Sequence, residues 1–228
     1  MKNIHKQAGI TLIEAVIGLA LSLIVTTSMI SLMGNSMGSA TRIIHMSQLT
    51  DELRNAMSMM SRDVRRANYN ANNIYCYANS DCGVDNTATQ AGDVTITISA
   101  DDEACFVFGL DRDYDGNANN DGGGGFRRVV DGASGVGRIE MWVGSTVPAC
   151  GSTSGDWVAV TDPDLVNVTG FRVDDSASFN NTLPLDGGAT LTVRNRYLEM
   201  EINGQLIMDN TITRTIQDKV NVRNRFTL

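Results

Sequence analysis

Histidine is nearly absent from this 228-residue chain, which has His5 and His45 and no other. A histidine-based acid–base pair or a Ser-His triad therefore has no source beyond residue 45. Lysine is equally scarce. After Lys2 and Lys6 only Lys219 remains, and 26 acids against 18 bases give a formal net charge of −8. An acidic exterior repels phosphates, so free nucleic acid is not expected as a ligand, although composition leaves room for a local arginine patch. Aromatic residues make up 6% and there are 3 prolines. A core must then rest mainly on Val, Ile, Leu and Met, and the loops, with 22 glycines in the chain, are not stiffened by proline. No phosphate-cradling loop is evident, because Gly122–Gly125 lacks the following Lys and helix. Adjacent acids such as Asp101-Asp102 and Asp174-Asp175 face opposite sides of a strand or lie solvated in a turn, so they do not make a catalytic pair. An enzyme is not expected.

The longest absence is of charge itself. From Ala15 to Thr41 there is no Asp, Glu, Lys or Arg, and Ile10–Met33 is almost wholly apolar or small. About 20 such residues suffice to span a bilayer. Lys2 and Lys6, in the short polar stretch Met1–Gly9, should hold that end in the cytoplasm and send the remainder outward. A secretory signal peptide would carry its small-residue cleavage site after the apolar run, and no Ala-x-Ala site follows Met33. Glu14 lies inside the run, where an isolated carboxylate costs about 2.5–3.5 kcal/mol on insertion scales and is normally kept because it finds a partner.

Gly9-Ile10-Thr11-Leu12-Ile13-Glu14 resembles the prepilin signature of type IV pilins and type II secretion pseudopilins. The resemblance implies that a dedicated membrane prepilin peptidase cuts between Gly9 and Ile10 and methylates the new amine at Ile10. It also implies that Glu14 neutralises the N-terminal amine of a neighbouring subunit during filament assembly. Ile10 departs from the phenylalanine usual there, an apolar change. Loss of the leader, with its two lysines, takes the formal charge from −8 to −10.

Past Thr41, apolar residues recur at helical spacing: Leu49, Leu53, Met57, Met60, Val64 and Ala67. This is an amphipathic stripe, with Asp51, Glu52, Arg54, Arg62, Asp63, Arg65 and Arg66 opposite. Met57, Met59 and Met60 read as core filler. Gly34 and Gly38 weaken the helix locally, and it is expected to end near Asn68–Asn73. A continuous helix from Ile10 would be on the order of 85 Å long. The remainder reads as strands: Val94–Ile98, Cys105–Leu110, Phe126–Val130, Arg138–Val143, Trp157–Val160, Val166–Val173, Thr190–Arg194, Tyr197–Ile202 and Ile212–Val222. Asp131-Gly132 and Asp186-Gly187-Gly188 punctuate them as turns. Asn203-Gly204, between Tyr197–Ile202 and Gln205–Met208, reads as the clearest hairpin. Arg127 and Arg128 are expected to point one outward and one inward on a strand. The expected class is α+β: a long N-terminal helix, membrane-spanning and then amphipathic, packed on a mainly antiparallel β-rich head. The expected division is a leader at 1–9, a membrane and filament-packing helix at 10–33, its amphipathic continuation at 34–67 and a head at 68–228.

Four cysteines, Cys76, Cys82, Cys105 and Cys150, allow three pairings. Cys76–Cys82, closing a short loop, with Cys105–Cys150 is the favoured one, and an even count after an export segment fits an oxidising compartment. Zinc is disfavoured by the spacing and by the lack of a head histidine. Asp111, Asp113, Asp115, Asn117 and Asn119 place oxygen ligands at alternate positions around Gly116, as in the first part of a Ca²⁺ loop. Gly122 stands where an EF-hand has its closing acid, so the alternatives are a weak Ca²⁺ loop or a solvated hairpin tip, with Gly122–Gly125 as its flexible continuation.

Asp63-Val64-Arg65-Arg66-Ala67-Asn68-Tyr69 and Val222-Arg223-Asn224-Arg225 resemble minor pilins of the PilW type and the related J-type pseudopilins. That implies a structural subunit that helps initiate type IV pilus assembly at or near the pilus tip. Its implied partners are prepilin peptidase, other minor pilins, the major pilin and a tip adhesin. The implied location is the inner membrane with a periplasmic head, then the cell-surface pilus. A pseudopilin priming a secretion pseudopilus, and a membrane-anchored extracellular Ca²⁺-dependent binding domain, are the alternatives.

Overall fold

A computed structural model describes residues 9–69, 94–98, 104–111, 122–184, 190–223 and 226–227. One helix, α1 (Leu12–Val64), precedes eleven strands, all antiparallel among the described residues. The class is α+β, as expected. The chain divides into two compact units, Met1–Ser47 and Gln48–Leu228.

In the first unit α1 runs unbroken through Gly34 and Gly38. Its apolar side chains are open, with Leu12 86%, Ile24 62% and Met33 64% exposed.

The second unit begins on the same helix, and here the stripe is covered. Leu49, Leu53, Met57, Met60, Val64 and Ala67 are all buried. Met59 is 37% exposed and is not core filler. It stands between Met57 and Met60 and so falls off the face that they share. The helix stops at Val64, slightly short of the asparagine-rich stretch. Arg66 and Ala67 both donate to the Asp63 carbonyl, and Asn68 takes a left-handed φ of 60°, a C-terminal cap that asparagine tolerates. The amide of Asn68 then donates to the Gly109 carbonyl at 3.1 Å, tying the helix exit to β2.

Strands β1 (Thr95–Ile98), β2 (Ala104–Gly109), β3 (Gly123–Val130), β4 (Gly137–Trp142) and β5 (Trp157–Ala159) form a meander in chain order. Strand β6 (Val166–Asp174) pairs with β9 (Tyr197–Leu206), which pairs with β10 (Thr213–Asn221). A third sheet joins β7 (Phe179–Pro184), β8 (Thr190–Asn195) and β11 (Phe226–Thr227). Strand β7 is exposed along its whole length, so it carries no apolar alternation that would mark it in the sequence. Phe106 of β2 lies 5.5 Å from the ring of Phe126 and 6.3 Å from that of Phe171, joining the first sheet to the second. On β6 a bulge between Val168 and Gly170 shifts the alternation. Val166 and Val168 before it, and Phe171 and Val173 after it, are therefore all buried, which a strict period of two would forbid.

Two glycine readings are corrected. Asn203-Gly204 is not a turn: β9 passes straight through it, Gly204 pairing with Arg214 on one side and Val168 on the other. A Cβ at Gly204 would lie 3.0 Å from a Leu53 methyl, so the glycine is there to let the helix approach the sheet. The hairpin turn comes later, where Ile212 donates to the Asp209 carbonyl. Gly123–Gly125 is likewise not a flexible continuation but the buried first part of β3. A side chain at Gly124 would meet the Phe108 ring at 2.4 Å. The Asp131-Gly132 turn does form, linking β3 to β4. There the amide and hydroxyl of Ser134 and the amide of Ala133 donate to Asp131 Oδ1. These bonds, the Ser134 amide first, hold the Asp131 carboxyl below its ordinary value.

Candidate functional site

The residues that the sequence marks for processing and assembly, Gly9, Ile10 and Glu14, lie at and just before the start of α1. Thr11 immediately precedes the helix, and its Oγ1 accepts the backbone amide of Glu14 at 3.4 Å. Its carbonyl accepts the amide of Ala15 at 3.2 Å. Thr11 is thus the N-cap, and Thr11-Leu12-Ile13-Glu14 has the Thr-x-x-Glu spacing of a capping box. The Thr-x-x-Glu spacing carries this local role in the sequence itself, beside the charge that Glu14 supplies. An acid in the first turn also suits the positive end of the helix. Gly9 and Ile10 lie just outside the helix, with no atom within 4 Å of where a Gly9 Cβ would stand and with Ile10 78% exposed.

The helix is long and apolar enough to cross a membrane, and the apolar window that meets this test is unburied. Several of its hydroxyls donate back to the helix backbone. Thr26 Oγ1 donates to the Ser22 carbonyl at 2.6 Å, Thr27 Oγ1 to Leu23 at 2.9 Å, Ser28 Oγ to Ile24 at 2.8 Å and Thr41 Oγ1 to Met37 at 3.0 Å. A hydroxyl satisfied this way presents little polarity to lipid or to an apolar neighbour. At Thr26, Thr27, Ser28 and Thr41 the surface is therefore less polar than the sequence reads.

The head places its other marked residues in structural roles. Cys105 and Cys150 are joined by a disulfide across 45 residues, linking β2 to the segment after β4. Cys76 and Cys82 lie outside the described residues. The bridge packs with Trp142 and Trp157, whose rings meet edge to face at 5.4 Å. Arg127 lies over the Trp157 ring at 4.3 Å, pairs with Glu140 at 2.8 Å, and donates from Nη1 to the carbonyls of Cys150 and Ser152. Arg138 takes the other Glu140 oxygen at 2.8 Å, so a buried carboxylate is matched by two guanidinium groups, as burial demands. Arg128 donates to the Val168 carbonyl at 2.8 Å. Both arginines of the pair are half-buried and bonded within the protein, so the expectation of one pointing outward is not met. Asp175 is paired with Arg196 and Arg194.

Of the calcium-loop residues, Asp111 is buried at the end of β2, its amide donating to the Tyr69 carbonyl at 2.9 Å. Asp113, Asp115, Asn117 and Asn119 lie outside the described residues. Among the described residues no group of three or more His, Cys, Asp or Glu is placed to hold a metal ion.

The family model described as prepilin peptidase-dependent protein B matches residues 42–222, well over half of the chain. The match begins beyond the Gly9–Glu14 signature, so it is carried by the outer helix and the head. No curated protein and no solved structure matches the chain.

Proposed function

Because the chain belongs to the prepilin peptidase-dependent protein B family, a pilin-related family, we propose that it is a minor pilin of the PilW type. In this reading prepilin peptidase cuts after Gly9 and methylates Ile10. The helix first anchors the protein in the inner membrane with a periplasmic head. It then enters a filament, where Glu14 meets the N-terminal amine of a neighbour. The subunit helps initiate the pilus and stays at or near its tip, beside other minor pilins.

The observation that carries this is the open apolar surface of Leu12–Met33, headed by the Thr11–Glu14 turn. Apolar side chains left uncovered in this way need lipid or another apolar surface around them, and a subunit that leaves the membrane for a filament supplies each in turn. The test is Glu14→Ala in the full chain, followed in cells. Membrane insertion and head stability should be retained while surface pili are lost. Unchanged pili with normal insertion would overturn the reading. Loss of protein secretion with intact pili would favour the type II pseudopilin alternative.

A further inference from the structure

We propose that an arginine-lined groove beside the last turns of α1 is a docking site for an acidic polypeptide segment of another protein. The groove has a volume of about 540 Å³ and is lined by Arg54, Arg62, Arg65, Arg66 and Arg223. Five guanidinium groups collect here on a chain whose formal charge is −8. Asp218 is the one carboxylate among the lining residues, and both of its oxygens are already engaged. One accepts the Ser61 hydroxyl and the other the Lys219 amide. Arg62 is itself exposed and lies 3.7 Å from the partly buried Asp63, a long contact that contributes little. Among the described residues Arg54, Arg65 and Arg223 form no ion pair.

Mutual repulsion of this kind works against folding unless a partner neutralises it. The spacing identifies the partner's chemistry. From Arg54 to Arg65 the helix advances roughly 16 Å, the reach of about five residues of extended chain. A single phosphate meets one end of such a row, whereas carboxylates spaced along a polypeptide meet all of it. Arginine forks bind carboxylates bidentately, and Ile216, half-buried in the same groove, gives apolar contact beside the charges. The proposal does not depend on tip location or on a filament.

Fluorescence anisotropy of the full chain in nonionic detergent, with a short labelled Glu-rich peptide and its Lys-for-Glu counterpart, tests it. The Glu peptide should bind saturably at low salt and the Lys peptide should not. Replacing Arg62→Glu together with Arg65→Glu should weaken binding at least about tenfold, as for truncated charge pairs at interfaces. Arg172→Glu with Arg214→Glu, on the sheet, should leave it unchanged, and melting temperatures report folding. If the reversed pair misfolds, Arg62→Gln with Arg65→Gln serves in its place. The proposal is overturned by absent or unsaturable binding, or by equal losses in both pairs. It is also overturned by full displacement with millimolar inorganic phosphate, or by salt-sensitive self-association of the chain alone, which would make the occupant an anion or a second copy.

Discussion

The two units differ in how they treat the same kind of residue. In the head, Leu53, Met60, Phe106 and Ile202 are wholly enclosed. In the first unit, Ile13, Leu23 and Ile30 are more than half exposed, and the hydroxyls of Thr26, Thr27 and Ser28 fold back onto the helix. A sequence can thus be apolar for two reasons: to make a core, or to require a surrounding that the chain itself does not provide. The helix α1 passes from one condition to the other, and the transition falls where charge returns at Arg42 and the stripe begins at Leu49.

Substitutions can break either half of this contrast separately. The largest effect expected is all-or-none: Gly9→Val should abolish leader removal, read as a mass shift on immunoblots, with the head's melting unchanged. Phe106→Ala should act in the opposite sense. It should cost the head about 3–5 kcal/mol in denaturant unfolding, because a ring at the junction of two sheets is lost, and leave membrane insertion intact. Cys105→Ser with Cys150→Ser removes a link across 45 residues and should cost about 2–5 kcal/mol, visible as a lower melting temperature. Gly204→Ala should cost about 1–3 kcal/mol by crowding Leu53, and its cost should shrink when it is introduced into a Leu53→Ala background.

The smallest effect is one of pH. Side-chain donors Asn203 and Gln217 hold the Glu201 carboxyl below its ordinary value of 4.5. A depressed folded value stabilises the fold above the unfolded value, and that contribution fades as pH falls from about 4.5 through the folded value. Glu201→Gln should therefore flatten the acid side of the stability curve, lowering the melting temperature slightly at pH 7 and leaving it nearly unchanged well below pH 4.5.

Much of the fold was legible because it is periodic. Leu49, Leu53, Met57, Met60, Val64 and Ala67 repeat at helical steps, and burial follows them residue for residue. Most strands lie within a few residues of their alternating runs. The glycine misreadings share one cause. Asn-Gly at 203–204 and the glycines at 123–125 carry a local signal for a turn or flexible chain. A glycine needed for close approach looks identical in sequence to one needed for a turn, and what decides between them is the side chain opposite, Leu53 in one case and Phe108 in the other. The arginine groove was equally hidden, because Arg54 and Arg223 are far apart in sequence and meet only when β10 and the end of α1 pack together.

By itself, then, the sequence determined what short-range chemistry can determine: an apolar helix with a capped acidic start, an amphipathic continuation and a β-rich remainder. Only tertiary structure decided which glycines are turns, where β6 shifts register and which charges converge, since each depends on a neighbour distant along the chain.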